Sequence, residues 1–220
     1  MLCGLAAMTA GGCADFEFPS WVPFQGPASD QVAGVVPPRE RIEKLKKLSD
    51  ASTAATPAER VKISEQLAGD FGVEKDPLIR LEIIRTLGRY PGPAADAILK
   101  AALSDSEAHV RVTACEAWGK RSDARAVALL SETLRSDVDA DVRIAAAQAL
   151  GETKNPAAVA ALGEALADTN PAMQYRAVLA LQQATGKDFG GSVERWQQYV
   201  KAERHDQPAP SLAERPRNSF

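Results

Sequence analysis

One helical pattern is repeated four times in this chain, and the repetition constrains the fold more than any other feature. The copies are residues 76–88, 107–119, 139–151 and 170–182. Their first core positions are Ile79, Val110, Val142 and Met173, which lie 31, 32 and 31 residues apart. Self-similarity at a fixed period of this size is typical of arrays in which each unit packs against its neighbours. The sequence therefore predicts a repeat protein.

Each copy has the spacing of an amphipathic helix. Apolar or small residues recur four, five and eight positions after each first core position, which places them on one helical face. They are Ile83, Ala114, Ala146 and Ala177; Ile84, Cys115, Ala147 and Val178; and Leu87, Trp118, Leu150 and Leu181. The first residues of the copies, Asp76, Glu107, Asp139 and Asn170, are expected helix N-caps. Gly88, Gly119 and Gly151 are expected to end three helices in the left-handed conformation.

A second helix is predicted after each of the first three copies. Its starts are Gly92, Asp123 and Asn155, and its core positions are Leu99, Leu130 and Leu162, followed by Leu103, Leu134 and Leu166. An isolated pair of short amphipathic helices leaves apolar surface uncovered, whereas stacked pairs bury it in one continuous core. The expected fold is therefore all-α, a right-handed α-solenoid of about five helix pairs over residues 38–202.

The two ends of the array are expected to be atypical pairs. Ile42, Leu45 and Leu48 share one face of a helix that begins at Pro38, and Thr56, Pro57 and Glu59 predict a capping-box start for the next helix. At the other end, Trp196 and Tyr199 lie three positions apart on a helix from about Ser192. We interpret them as a cover for the last repeat; an aromatic docking site is the alternative.

These residues resemble the HEAT-like repeats, in particular the short type found in bilin lyases of phycobilisome assembly and in many bacterial proteins of unassigned role. The motif is D-x-x-V-R-x-x-A-x-x-A-L-G, which residues 139–151 match throughout, and the resemblance extends over roughly residues 38–200. It implies either an interaction scaffold or a lyase-type chaperone that handles a bilin. HEAT-like deoxyhypusine hydroxylases hold iron through paired His-Glu motifs, and the chain has no His-Glu dipeptide. The resemblance therefore does not extend to that activity.

The N-terminal residues 1–13 resemble the end of a bacterial lipoprotein signal, because small residues precede Cys13. That resemblance implies lipidation of Cys13 and attachment to a bacterial cell-envelope membrane; an ordinary apolar N-terminus on a cytoplasmic protein is the alternative. Residues 14–37 are rich in Pro and Gly and are expected to be a linker whose aromatic residues either dock or rest on another surface. Residues 203–220 contain three Pro and few apolar groups, which predicts a disordered tail.

Polar residues recur with the same period as the core. Arg80, Arg111 and Arg143 follow the first core positions, and Asp105, Asp137 and Asp168 recur near the turns between units. In HEAT-type repeats such an arginine commonly pairs with an aspartate of a neighbouring unit. We therefore expect a structural ladder between repeats; binding of an acidic ligand by the three arginines is the alternative.

The sequence contains little that indicates chemistry. The net charge is −3, which disfavours a nucleic-acid surface. The three cysteines lie at positions 3, 13 and 115 and form neither a disulfide framework nor a zinc motif, and Cys115 occupies a small apolar core position. No catalytic, cofactor or metal site and no small-molecule substrate is expected. The favoured hypothesis is a noncatalytic protein-binding scaffold, and the bilin lyase-type role is the alternative.

Overall fold

A computed structural model describes residues 36–206, and all regular structure in that part of the chain is helical. The ten helices are α1 (Pro38–Ala51), α2 (Pro57–Val73), α3 (Pro77–Leu87), α4 (Pro93–Ala102), α5 (Ala108–Gly119), α6 (Ala124–Ser136), α7 (Ala140–Glu152), α8 (Ala158–Ala165), α9 (Pro171–Thr185) and α10 (Val193–Asp206). The chain divides into two units between Pro37 and Pro38. Cys13, residues 14–35 of the expected linker and residues 207–220 of the expected tail lie outside the described residues.

The ten helices form five consecutive pairs. The odd-numbered helices, called here the first helices, pack on one another in chain order from α1 to α9. The even-numbered helices, called the second helices, pack less closely, with contacts between α2 and α4, α6 and α8, and α8 and α10. This stacking confirms the predicted all-α solenoid. Among the described residues no helix is both long and apolar enough to cross a membrane.

The core consists of the repeated columns. All sixteen residues at the first core position and at the positions four, five and eight residues later are buried, including Trp118 at 0% exposure. Leu99, Leu130 and Leu162 of the second helices are also fully buried, whereas Leu103 is half-exposed. The period of the apolar residues therefore predicts correctly which residues are buried, because neighbouring helix pairs place equivalent residues against one another.

Most predicted helix starts are observed. The Asp76 side chain accepts from the Leu78 amide at 2.9 Å, and Thr56 forms a complete capping box with Glu59. Glu107 does not cap α5 with its side chain. Two boundaries differ from prediction: α8 begins at Ala158, three residues after Asn155, and α10 continues to Asp206. Helix α10 thus includes residues 203–206, which the sequence pattern assigns to the tail.

The predicted left-handed glycines at the helix ends are also wrong. Gly88 has φ −56° and ψ −24°, Gly119 is the last residue of α5, and Gly151 lies inside α7. The left-handed conformation occurs later, in the turns, at Ser122 with φ 55° and Lys154 with φ 50°. The three helices therefore end within one residue of these glycines, at Leu87, Gly119 and Glu152, but without a left-handed residue at the glycine position.

The glycines serve close helix packing instead. A Cβ atom added at Gly151 would lie 2.8 Å from Cα and 3.0 Å from the carbonyl oxygen of Ala180 in the next first helix. Gly119 has the same relation to Ala149, with 3.0 Å to both its Cα and its Cβ. The glycine–alanine contacts therefore bring successive first helices together at a distance that no Cβ at the glycine position permits.

Hydrogen bonds and aromatic packing complete the two end pairs. The Tyr90 hydroxyl donates to the Leu48 carbonyl at 2.6 Å and so connects the turn after α3 to α1. Trp196 of α10 is fully buried and donates from Nε1 to the Gly190 carbonyl at 3.2 Å. Its ring contacts Phe189 and Tyr199 edge-on, and those two rings are tilted relative to each other. The last pair is thereby closed by its own aromatic residues.

Candidate functional site

The recurrent polar residues lie at the turns that lead from each second helix to the next first helix. Arg80 of α3 donates from Nε and Nη2 to the two carboxylate oxygens of Asp105 at 2.9 and 2.8 Å. Arg111 of α5 binds Asp137 in the same way at 2.8 and 3.0 Å. The structure thus brings together four of the six ladder residues, in two bidentate pairs.

Each ladder aspartate also starts the next helix. Asp105 Oδ1 accepts from the Glu107 amide at 2.9 Å, and Asp137 Oδ1 accepts from the Asp139 amide at 2.9 Å. A carboxylate that accepts from a backbone amide two residues on stabilises the turn before a helix. One carboxylate therefore serves both the turn and the arginine of the preceding first helix.

A second set of bonds holds the same turns from the other side. The Nη1 group of Arg111 donates to the Asp105 carbonyl at 2.9 Å, and that of Arg143 donates to the Asp137 carbonyl at 2.9 Å. The turn at Asp105 is consequently bound through its side chain by Arg80 and through its backbone by Arg111. Each turn is therefore held by first helices of two adjacent repeats.

The ion pairs are nearly enclosed, with side-chain exposures of 11% for Arg111 and 8% for Asp137. Burial acts to raise the pKa of Asp137, but the hydrogen bonds from Arg111 and the Asp139 amide outweigh burial and leave the pKa below its usual value. The same balance lowers the pKa of Asp105. Both aspartates are therefore ionised across the neutral range, and their negative charges are paired with arginines of the same chain.

The sequence analysis missed a further pair of this kind in the first repeat. Arg41 of α1 bonds to the carboxylate of Glu74, and Glu74 Oε1 accepts from the amides of Lys75 and Asp76 at 2.9 and 2.8 Å. Glu74 therefore binds an arginine and the backbone amides of a turn in the same way as the ladder aspartates. The sequence contains one indication of the role of Arg41, because Arg41 follows Pro38 by three residues as Arg80 follows Pro77.

The last predicted pair is not formed. In the described residues no hydrogen bond or ion pair joins Arg143 to Asp168. Asp168 still accepts from the Asn170 amide at 2.7 Å, and Gln174 donates to the Asp168 carbonyl at 2.7 Å. Arg143 and Asp168 are thus each bonded to a turn but not to each other. Both residues line one cleft.

A polar cluster that the sequence analysis did not identify lies at the opposite ends of the first helices. Asp96 of α4 is 3.3 Å from Nη2 of Arg121 and 3.6 Å from Nη1 of Arg125. The Arg125 guanidinium lies over the Trp118 ring, 5.5 Å from its centroid. The indole Nε1 and the Arg121 Nε are buried without a hydrogen-bond partner. This cluster connects α4 to the turn between α5 and α6.

Clefts separate neighbouring second helices. A cleft of about 200 Å³ lies between α4 and α6, one of about 170 Å³ lies beside α6, α7 and α8, and one of about 190 Å³ lies between α8 and α10. The first of them is lined by Lys100, Leu103, Leu129 and Glu132 among others. Each cleft therefore combines apolar and charged side chains within one groove.

Cys115 lies away from all of these clefts. It is fully buried in α5, and burial raises the pKa of its thiol to about 12, with the charges of Asp137 and Glu116 adding to the effect and that of Arg111 opposing it. A thiol with such a pKa is protonated and unreactive near neutral pH. Across the described residues no group of three or more His, Cys, Asp or Glu side chains has the arrangement of a metal site.

Comparison with protein families gives one match. A model of HEAT repeats matches residues 72–151 and, in an overlapping second match, residues 132–191. Together these ranges include more than half of the 220 residues. Comparison with curated proteins gives no match.

Two solved structures share features of the fold. Human deoxyhypusine hydroxylase in complex with glycerol matches with a TM-score of 0.51 and 25% identity, over 56% of this chain and 44% of the hydroxylase chain. This chain therefore spans less than half the length of that enzyme. The complex of CpcE and CpcF of phycocyanin lyase from Nostoc sp. PCC7120 matches with a TM-score of 0.47 and 20% identity, over 69% and 93% of the respective chains. The second likeness is too low to bear on function.

Proposed function

The chain belongs to the HEAT-repeat family, and we propose that it is a noncatalytic scaffold that binds another protein along its second helices. The observation that carries this proposal is the series of clefts between α4, α6, α8 and α10. Protein interfaces combine apolar contacts with a limited number of hydrogen bonds and charged groups. Clefts lined by both kinds of side chain are suited to such contacts.

The first helices are less suited to this role. Their closest approaches are occupied by the contacts of Gly119 with Ala149 and of Gly151 with Ala180. The charged residues of the two closed ladder pairs, Arg80 with Asp105 and Arg111 with Asp137, bind one another across the turns instead of facing a partner. A partner that approaches the second helices would meet side chains that the fold has not already used.

Absence of catalysis is part of the proposal and requires its own test, because the hydroxylase that shares the fold is an enzyme. The buried thiol of Cys115 supports it, since the pKa of that thiol is raised to about 12. Purified protein is expected to leave a bilin chromophore and a phycocyanin-type acceptor peptide unlinked in an absorbance assay. Formation of a covalent bilin adduct by the protein would favour the lyase-type role instead.

We further propose that the scaffold is attached to a bacterial cell-envelope membrane through a lipid on Cys13. The support is the sequence alone, namely the small residues before Cys13 and the Pro- and Gly-rich residues that follow it. Cys13→Ser, expressed with the native upstream region, is expected to lose incorporation of labelled fatty acid and to move from the membrane to the soluble fraction. Unlabelled wild-type protein in the soluble fraction would contradict the attachment.

Site-specific photo-crosslinking tests the binding surface. A crosslinking amino acid at Glu132, which lines the cleft between α4 and α6, is expected to join the protein to one defined partner in cells. The matched control is the same amino acid at Glu116, an exposed position on first helix α5. Stronger crosslinking from Glu116 than from Glu132 would place the partner on the first helices and overturn the proposed surface.

A further inference from the structure

We propose that the cleft beside α6, α7 and α8 binds a carboxylate side chain of the partner protein, with Arg143 as the residue that holds it. This inference rests on the proposed scaffold function and specifies one contact within it. The cleft measures about 170 Å³ and is lined by both Arg143 and Asp168. It lies where the preceding repeats have a closed arginine–aspartate pair.

Arg143 has the same anchoring as the arginines that bind carboxylates. Its Nη1 group donates to the carbonyls of Asp137 and Val138 at 2.9 and 3.4 Å. In Arg111 the Nη1 group donates to Asp105 and Ser106 carbonyls at the same 2.9 and 3.4 Å. The guanidinium of Arg111 then uses its Nε and Nη2 edge to bind Asp137. The matching anchor directs the equivalent edge of Arg143 towards the cleft.

The internal carboxylate that would complete the pair, that of Asp168, is not bonded to Arg143 in the described residues. Asp168 keeps the turn bond to the Asn170 amide at 2.7 Å, as Asp137 keeps its bond to the Asp139 amide at 2.9 Å. In the described chain the Asp168 carboxylate nevertheless makes no ion pair with Arg143. A carboxylate from outside can therefore take the place that Asp137 occupies against Arg111.

The lining of the cleft favours a single carboxylate. Leu134, Ala161 and Ala165 provide apolar walls, where a charge-assisted hydrogen bond is stronger than in water. The planar guanidinium matches the two oxygens of a carboxylate. Arg135, Glu164 and Asp168 also line the cleft, and the negative charge of Asp168 disfavours an anion with two charges, such as phosphate. The preferred ligand is therefore an Asp or Glu side chain.

The test uses the Nε–H resonances of the arginine side chains in the full-length, isotope-labelled protein. The probe is acetyl-Leu-Glu-Leu-amide, and its matched control is acetyl-Leu-Gln-Leu-amide, which lacks the charge. We expect the Glu probe to shift the Arg143 resonance saturably while the resonances of Arg80 and Arg111 stay unchanged. Arg143→Lys keeps the charge but removes the planar pair of donors, so it is expected to weaken probe binding at least about tenfold.

A second variant gives the sign of the ligand charge. Asp168→Asn removes a negative charge from the wall, so it is expected to tighten binding of the Glu probe and to leave the ladder pairs intact. Acetate serves as a further probe, and equal saturation by acetate would assign the site to free small carboxylates instead of a side chain. Helical circular dichroism checks that both variants are folded.

Four results would overturn the inference: equal shifts with the Glu and Gln probes, equal saturation by acetate, unchanged affinity in folded Arg143→Lys, or loss of binding in Asp168→Asn. Loss of binding in Asp168→Asn would indicate that the cleft binds a hydrogen-bond donor of the ligand through the Asp168 carboxylate. None of these results affects crosslinking from Glu132, which lies in a different cleft. Failure of this inference can therefore be distinguished from failure of the proposed scaffold function.

Discussion

The first and second helices of the same repeats pack in different ways. First helices meet backbone to backbone, since a Cβ at Gly151 would lie 2.8 Å from Cα of Ala180. Second helices α8 and α10 meet through a side chain, since a Cβ at Gly163 would overlap Cγ1 of Val200, and a Cβ at Gly69 in second helix α2 would have nothing within 4 Å. Clefts of about 170 to 200 Å³ lie beside the second helices from α4 to α10, and a further cleft of about 210 Å³ lies among α1, α2 and α3 at the start of the array. The difference indicates that the first helices provide most of the cohesion and that the second helices provide the accessible surface.

The largest effect is expected for a buried residue of the first helices. Leu150→Ala removes a fully buried side chain from first helix α7, and we expect a loss of about 2 to 5 kcal/mol in the free energy of unfolding. The matched variant Leu103→Ala alters a half-exposed residue at the end of α4 and should cost less than about 1.5 kcal/mol. Urea denaturation of both variants measures the difference. Equal losses would show that the two rows of helices are equally cohesive.

The ladder should contribute next, because it connects first helices to the turns. Arg111→Ala leaves Asp137 without its bidentate partner, and we expect a loss of about 2 to 3 kcal/mol at neutral pH. Arg135→Ala, at an exposed position of α6, is the control and should change stability by less than about 0.5 kcal/mol.

The ladder also predicts a pH dependence. The pKa of Asp137 is lower in the folded chain than its usual value near 3.9 in an unfolded chain. A lowered pKa means that the stabilisation is complete above the unfolded pKa and is lost as the pH falls through the folded pKa. Stability of the wild type should therefore decrease on acidification below about pH 5, and Arg111→Ala should decrease less steeply. Parallel pH profiles in thermal denaturation would contradict this role of the pair.

Two glycine substitutions compare the packing directly. Gly151→Ala adds a methyl group against the Ala180 backbone, and we expect a loss of about 1 to 3 kcal/mol. Gly69→Ala adds the same group in open space within helix α2 and should stabilise the protein by about 0.5 to 1 kcal/mol through helix propensity. Denaturation experiments should show a loss of stability for Gly151→Ala and a gain for Gly69→Ala. A gain for both variants would show that the contact between first helices can accommodate a methyl group.

The smallest expected effect concerns the turns between the two rows. Ser122 and Lys154 adopt positive φ angles, which are costly for residues with a Cβ. Ser122→Gly or Lys154→Gly should therefore stabilise the protein by up to about 1 kcal/mol. A loss of stability on either substitution would show that the side chain contributes more than the backbone strain costs.

The fold was predictable because its determinants repeat along the chain. Leu87, Trp118, Leu150 and Leu181 share one position in the period, and all four are fully buried. The glycines were misinterpreted because a glycine near a helix end is usually a left-handed cap, whereas its use at Gly151 depends on the distance to another helix. That distance is a property of the stack and leaves no mark in the local sequence.

The ladder shows a similar limit. Arg80 and Asp105, and Arg111 and Asp137, lie 25 and 26 residues apart and pair in the structure. Arg143 and Asp168 have the same spacing and do not pair, because small shifts of helices decide whether two side chains meet. The pair of Arg41 and Glu74 was missed because its longer separation falls outside the period. Spacing thus predicts the register of polar residues but not the contacts that they make.

The glycine–alanine contact also has a consequence for how such a chain can change its length. The contact requires only a residue without a side chain on one helix and a small residue on the next, and residues 119, 149, 151 and 180 satisfy it at successive steps. The copies that begin at residues 107 and 139 carry both the glycine and the alanine, whereas Thr86 takes the alanine position in the first copy and Gln182 takes the glycine position in the last. The two middle copies can therefore follow one another without compensating substitutions. Duplication or loss of a middle unit would preserve every remaining glycine–alanine step between first helices.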